Sequence, residues 1–414
     1  MVLKANRTGA VALDSAYELS AVEVRLICEL AGVPRMAPAE LRVLAASSDW
    51  SMFRRSAGVR LWPLLAHRIR ERELTVPSVL LAHLDEARRG NAIAWMRRRR
   101  ALREVLAALA AAGMEATVLK GMALAPVVYP APELRTMSDI DIWVHAPLEV
   151  IPRLLAPLGW AIAPRHDTGM VDGRLTIGLA LGDPPLVLEA HRVPGSLAKS
   201  VSRLLPRVLE RRTRGPDWWT LAPGDQLLHA ILHSAVHHRF SAVLPGILDI
   251  ALLVEHARDQ VDWAAWGAEC RAQGVERVAA ACLSAAAQLF GARVPQIAWT
   301  ALTVDDASEL GRVTAAAVWW SHATGENPEA VLSARGGEGV VRAIWKQLAL
   351  ILQDRDAGRP GAARRLVRRL WGFGRYTMPR HIRSIASGKR SGAAGEARRV
   401  VRERHEALMR SLGC

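Results

Sequence analysis

Lysine is nearly absent from this chain: of its 55 basic residues, all but Lys4, Lys120, Lys199, Lys346 and Lys389 are arginine. Tyrosine and phenylalanine are scarce too, three and four residues against 14 tryptophans, which leaves little material for an extended aromatic stacking surface. The four cysteines, Cys28, Cys270, Cys282 and Cys414, show no paired spacing that would hold zinc. A disulfide framework is not expected at this length, so they read as buried thiols of a reducing compartment. The longest uncharged apolar stretch, Val278 to Ala292, falls short of the ~20 residues a membrane span needs. Asp14, Glu18 and Glu23 precede any long apolar run, so no signal peptide is visible and a cytoplasmic location is the expectation. No internal repeat of solenoid or propeller length occurs.

What is present describes a globular, mostly helical protein. Half the residues are apolar and 23% are charged, which excludes a disordered chain. Windows rich in alanine and leucine favour helix, and 414 residues suffice for two or three domains. The formal charge of +15 would attract nucleotides, nucleic acid or anionic lipid over long range, although a solvated arginine surface has the same composition.

Residues 1–113 read as an N-terminal helical region, with helical apolar spacing over Ala39 to Ser47, Val59 to Glu73 and Ser78 to Gly113. Gly113 is the expected C-terminal cap of the last helix. That helix carries the run Arg97 to Arg100, either a phosphate clamp or a solvated face. Residues 114–220 change character and predict a small mixed-sheet α/β core. Ala116 to Leu119 is a short apolar run broken at Gly121, and Met122 to Val128 follows with one or two helical turns. Ser138 to Val144 alternates strictly, and Leu148 to Leu158 reads as a helix. Leu175 to Leu181 and Leu186 to Val193 read as strands joined by the turn Gly182-Asp183-Pro184-Pro185. Residues 221–357 return to helix, most clearly over Asp225 to His237, Leu244 to His256, Trp263 to Gln273 and Val275 to Phe290. Residues 358–414 form a basic C-terminal region, with a loop at Ser387 to Gly395 before a final basic helix. The predicted class is therefore α+β, a small sheet embedded in a largely helical chain.

The segment Ser138-Asp139-Ile140-Asp141-Ile142 carries the most chemistry. Carboxylates at i and i+2 of a strand project from the same face, where they would repel unless a cation is shared between them. Ile140, Ile142 and Val144 on the opposite face anchor the strand in a core. As an isolated pattern this is also what a surface strand edge looks like, but three features accompany it. Lys120-Gly121 opens a helix directly after an apolar strand, where free backbone N–H groups can meet phosphate. Arg135, four residues before Asp139, can reach a phosphate tail or pair with Glu133. Glu189 offers a third carboxylate on a later strand, with His191 on its face, as a two-metal site would need. Further on, Asp225, His229, His233 and His237 recur every four residues on one helix face. Zinc binding by His233 and His237, a cleft-lining helix and plain structural hydrogen bonding are all open readings of that row.

Val118-Leu119-Lys120-Gly121, then Tyr129-Pro130, then Arg135 to Val144 resemble the signature of a family of uncharacterised nucleotidyltransferases within the polymerase-beta-like superfamily. Leu186 to His191 resembles that family's next strand. Leu221-Ala222-Pro223, Asp225 to His238, Leu248-Asp249-Ile250 and Asp262-Trp263 extend the likeness, as do Gly58-Val59 and Pro63-Leu64-Leu65 less specifically, so that it spans roughly residues 36 to 295. Met122 follows Gly121 where the wider superfamily has Ser or Gly, and the third acid is Glu189 where the subgroup more often has Asp.

The resemblance implies transfer of a nucleoside monophosphate from an NTP such as ATP, with release of pyrophosphate. Asp139 and Asp141 would hold Mg2+ or Mn2+, and Glu189 would complete the metal site or act as general base. Lys120, Gly121 and Arg135 would meet the triphosphate, and His191, His233, Arg239 and Asp249 would line the nucleotide cleft. The acceptor is open among a small molecule, a peptide or protein side chain and an RNA end. Two other classes stay in view: a degenerate nucleotide-binding protein without turnover, and an RNA-handling protein using Arg364 to Arg404.

Overall fold

A computed structural model describes residues 21–48, 50, 60–145, 147–163, 176–192, 205–238, 240, 244–308, 310–312, 314–315 and 318. The basic C-terminal region 358–414, with its expected loop and final helix, lies outside the described residues, as do Gly58-Val59.

The N-terminal part is helical. Helix α1 (Ala21–Ala31) is followed by α2 (Pro38–Ala46), α3 (Trp62–Glu71) and α4 (Ser78–Ala111). Proline sits in the first turn of α2 and of α3, where its missing N–H costs nothing. At 34 residues, α4 is about 50 Å long. Its buried residues Leu80, Leu84, Trp95, Leu102, Val105 and Leu109 recur at steps of three, four, seven and eleven residues, so a single stripe of a long polar helix supplies the contact. Gly113, at φ +70°, ends it in the left-handed conformation expected of a capping glycine.

The sheet follows. Strand β1 (Ala116–Leu119) leads into α5 (Lys120–Val128), then β2 (Asp139–Val144), α6 (Ile151–Leu155), β3 (Ala161–Ile162), β4 (Thr176–Leu181) and β5 (Leu186–His191). After α7 (Leu205–Glu210) the short strands β6 (Thr213–Arg214) and β7 (Trp219–Thr220) complete it. The order is β3-β4-β5-β2-β1-β7-β6. The β2–β5 and β1–β7 pairs are parallel and the remaining pairs antiparallel, a mixed sheet in an α+β fold as the sequence predicted. Strands β3, β6 and β7 were not anticipated, because two residues are too few to display a period.

One face of the sheet is the core. Ile140, Ile142 and Val144, all fully buried, pack with Val118, Leu179 and Leu188 against Leu102 and Val105 of α4. The other face carries Asp139, Asp141 and Trp143, and helices cover it as well: Asp141 and Trp143 are as buried as the core residues. Here the half-buried strand suggested by alternation is in fact enclosed on both sides.

Four later helices, α8 (Pro223–Leu232), α9 (Leu244–Ala257), α10 (Trp263–Ala272) and α11 (Glu276–Phe290), match the expected spans closely, and a short α12 (Gln296–Leu302) follows. The uncharged stretch Val278 to Ala292 is mostly α11, buried from Val278 through Ala286 on all sides. It is a core helix, and its alanines let neighbours approach closely. Among the described residues no helix is long and apolar enough to cross a membrane. Buried Glu29 of α1 accepts from the backbone N–H and Nε of Arg35, whose remaining nitrogens donate to the carbonyls of Gln288 and Leu289 and so tie the N-terminal helices to α11.

His145, just past β2, stacks on Trp143 with ring centroids 4.8 Å apart and lies 3.3 Å from Thr117 Oγ1. Burial, then the nearby Arg212 charge, pull its pKa from 6.5 down to about 4. The unfolded chain therefore binds the extra proton first, and this contribution to stability is complete above pH 6.5 and lost as pH falls towards 4. His145→Gln is expected to lose less stability than wild type between pH 7.5 and pH 4.5, read as the difference in urea midpoints. Equal losses would show that His145 does not titrate in this way.

Candidate active site

Register brings the ionisable groups together. Leu119, the last residue of β1, lies opposite Asp141 on antiparallel β2, so Lys120 emerges beside that carboxylate. On the other side, parallel β5 sets Glu189 against Asp141 and His191 against Trp143. Side chains of like parity share a face, so Asp139, Asp141, Glu189 and His191 all project away from the isoleucine core.

Asp141 is the hub. Its Oδ1 accepts from Lys120 Nζ at 2.7 Å and lies 2.9 Å from His191 Nε2. The other ring nitrogen of His191 is 3.0 Å from Thr176 Oγ1 on β4, which fixes the ring. Glu189 Oε2 is 3.7 Å from His191 Nε2. Burial alone would raise the Asp141 pKa, but Lys120 and His191 outweigh it and hold the carboxyl well below the usual range. Burial tends to lower the Lys120 ammonium, yet Asp141 keeps it above its ordinary value. Asp139 and Glu189 go the other way, raised by burial and then by the Asp141 charge. The carboxyls thus differ sharply in proton affinity, as acid–base sites require.

Among the described residues, the one group of three or more metal-capable side chains is Asp141, Glu189 and His191, their ligand atoms within 4.8 Å of one another. Two carboxylates and an imidazole suit a divalent cation. Asp139 lies outside that trio but on the same cavity wall.

The cavity encloses about 560 Å³ in front of these strands, the size of a nucleotide-scale ligand site. Lys120, Gly121, Asp139, Asp141 and Glu189 form its sheet side, and His229, His233 and His238 face them from the helical side. His191 stands behind Asp141, 9% exposed in its side chain, and Arg239 lies outside the described residues. Helix α8 runs directly into a π-helical turn, His233–His237, a form common at functional sites. The row spaced by four therefore does not act as one: Asp225 pairs with Arg211 at 2.6 Å, while His229 and His233 line the cavity.

Arg135 and Asp249 also line the cavity, bound to each other. The guanidinium donates to both carboxylate oxygens, Nε at 2.9 Å and Nη2 at 2.6 Å, and the Tyr129 hydroxyl donates to Asp249 at 2.7 Å. The partner of Arg135 is thus neither Glu133 nor solvent. Gly121 makes room for this pair: a Cβ there would collide with Arg135 Nη1. The Asn91 amide on α4 donates to the Arg135 carbonyl at 3.1 Å and pins the loop from the far side. Sequence reading passed over Thr176 and Asn91, and nothing in their local pattern marks them. Tyr129 entered only through the family resemblance. The arginine run on α4 is mainly structural, since Arg99 pairs with Asp217, Arg100 with Glu104, and Arg97 donates to the Pro184 carbonyl.

The sequence model of a family described as uncharacterised nucleotidyltransferase matches residues 47–291, over half the chain and every strand of the sheet. The chain belongs to this family. No curated protein matches it. In this nucleotidyltransferase the matched segment contains all the groups around Asp141 together with the Arg135–Asp249 pair.

Both side chains of that pair are largely buried, 14% and 4% exposed. Asp249→Ala is expected to cost the nucleotidyltransferase about 3–5 kcal/mol in chemical denaturation, because it strands a buried guanidinium. A loss under 1 kcal/mol would mean that the cation finds water instead.

Proposed function

We propose that this nucleotidyltransferase transfers a nucleoside monophosphate from an NTP, ATP being the natural candidate in a cytoplasmic setting, to an acceptor at the cavity mouth. The observation that carries the reading is the convergence of Asp141, Glu189 and His191 from adjacent parallel strands, with Asp139 and Lys120 beside them. Asp139, Asp141 and Glu189 would hold Mg2+ or Mn2+, which when bound would supply charge neutralisation and orient the phosphates.

The phosphate chain lies along Lys120, the backbone amides opening α5 at Gly121, and Arg135. Asp249 holds Arg135 in place for that task, and His233 faces the nucleoside from the helical wall. The acceptor's nucleophilic atom attacks the α-phosphorus in line, the bond to the bridging oxygen breaks, and pyrophosphate leaves with that oxygen. Glu189, on the cavity wall beside Asp141, completes that ligand set or, where it stays off the metal, takes the acceptor's proton. His191, oriented by Thr176, holds Asp141 in a single rotamer so that its second oxygen stays available.

Asp139→Asn and Asp141→Asn are each expected to lower pyrophosphate release from ATP and magnesium, assayed with a cell extract as acceptor source, by a hundredfold or more, on the order of several kcal/mol of lost charge stabilisation. The fold of Asp139→Asn should persist, since the core face of β2 is untouched, whereas Asp141→Asn also leaves the Lys120 ammonium without its charge partner and is assayed only after circular dichroism shows it folded. Turnover like wild type in either variant would remove that residue from the site.

A further inference from the structure

Among the described residues, Arg60, Lys120 and Arg135 bring the lysine and arginine charges to the cavity wall, and two of the three are already committed. Lys120 Nζ bonds Asp141 at 2.7 Å, and Arg135 gives Nε and Nη2 to Asp249. Arg135 is left with Nη1, the nitrogen that stands over Gly121. Arg60 is different. It is exposed, and its guanidinium has no hydrogen-bond or ion-pair partner among the described residues. Five donors in a planar fork suit a phosphate or carboxylate that can accept two parallel bonds.

The main chain fixes where this guanidinium starts. The Thr136 hydroxyl donates to the Arg60 carbonyl at 2.6 Å, and the adjoining Leu61 is buried and anchors the step into α3. Thr136 follows Arg135 directly and stands three residues before Asp139, at most about 10 Å of chain. Moving away from the acids, the cavity wall presents Lys120 on Asp141, then Gly121 beneath Arg135 Nη1, then Arg60 beside Thr136. A triphosphate whose α-phosphorus lies at the acids has its other two phosphates strung out along such a row.

We propose that Arg60 holds the terminal phosphate of the NTP and makes the site select triphosphates over diphosphates. The N-terminal helical region thereby supplies a specificity-determining residue to a site otherwise built from the sheet and the later helices. A diphosphate ends at Gly121 and Arg135 and leaves the Arg60 fork unpaired, whereas a triphosphate reaches it. The inference rests on the functional reading above and adds which residue measures the length of the phosphate chain.

The test is isothermal titration calorimetry of the full chain with Mg2+ and the unreactive α,β-methylene analogues of ATP and ADP. Wild type should bind the triphosphate at least tenfold more tightly than the diphosphate. Arg60→Ala should bind the triphosphate at least tenfold more weakly than wild type and the diphosphate within twofold of it. Arg60→Lys, which keeps the charge but not the fork, should recover part of the loss. Neither substitution touches the bond from Thr136, because that bond uses the Arg60 carbonyl. An equal loss for both analogues in Arg60→Ala would mark a structural role, and no loss for either would mark a bystander; each result overturns the proposal while leaving the functional reading intact. Failure of wild type to bind either analogue would overturn the functional reading itself, and this proposal with it.

Discussion

A carboxylate whose side chain is 2% exposed stays ionised only if cations or donors replace the water it has lost. For Asp141 those replacements come from three strands: Lys120 just after β1, His191 at the end of β5, and through His191 the Thr176 hydroxyl on β4. Removing any of these strands from the register would leave a buried charge uncompensated. The mixed pairing of the sheet is therefore tied to the electrostatics of one oxygen, and the fold and the site cannot be described separately. Satisfying Asp141 also shapes its neighbours, because its retained charge adds to burial in raising the proton affinity of Asp139 and Glu189.

A second buried pair organises the other side of the cavity. Arg135 and Asp249 join the loop before β2 to α9, with the Tyr129 hydroxyl completing the set of donors to the carboxylate. The space for the guanidinium exists because residue 121 lacks a Cβ. Gly121 thus has two roles with separate physical causes: a backbone amide at the cavity wall where a helix starts and a gap for an arginine. One glycine links the phosphate-facing wall to the loop that carries the acidic strand. Both buried pairs put a cation at the cavity wall, which suits a polyanionic ligand, while the acids between them suit the divalent cation that accompanies such a ligand.

Much of this was legible in the sequence because it depends on short-range pattern. Strict alternation over Ile140 to Val144 predicted β2 and the face on which Asp139 and Asp141 stand. Helical periodicity gave the spans of the long helices to within a few residues, and Gly113 marked the end of α4. The residues singled out around Lys120, Asp139, Asp141 and Glu189 lie on one cavity wall. Less legible were strands of two residues, the π turn that breaks up the histidine row, and Thr176, whose importance comes entirely from the ring it touches.

The sequence by itself determined which residues could share a strand face or a helix stripe, since those relations follow from the local repeat of two or 3.6 residues. Through family-wide motifs it also pointed to the chemistry. Tertiary structure decided the partners. That Arg135 turns to Asp249, 114 residues away, rather than to Glu133, and that His191 stands behind Asp141 rather than in the cavity, follows from strand register and helix docking. Both are settled by long-range packing and by the cost of leaving buried charge unmatched, which no window of neighbouring residues records.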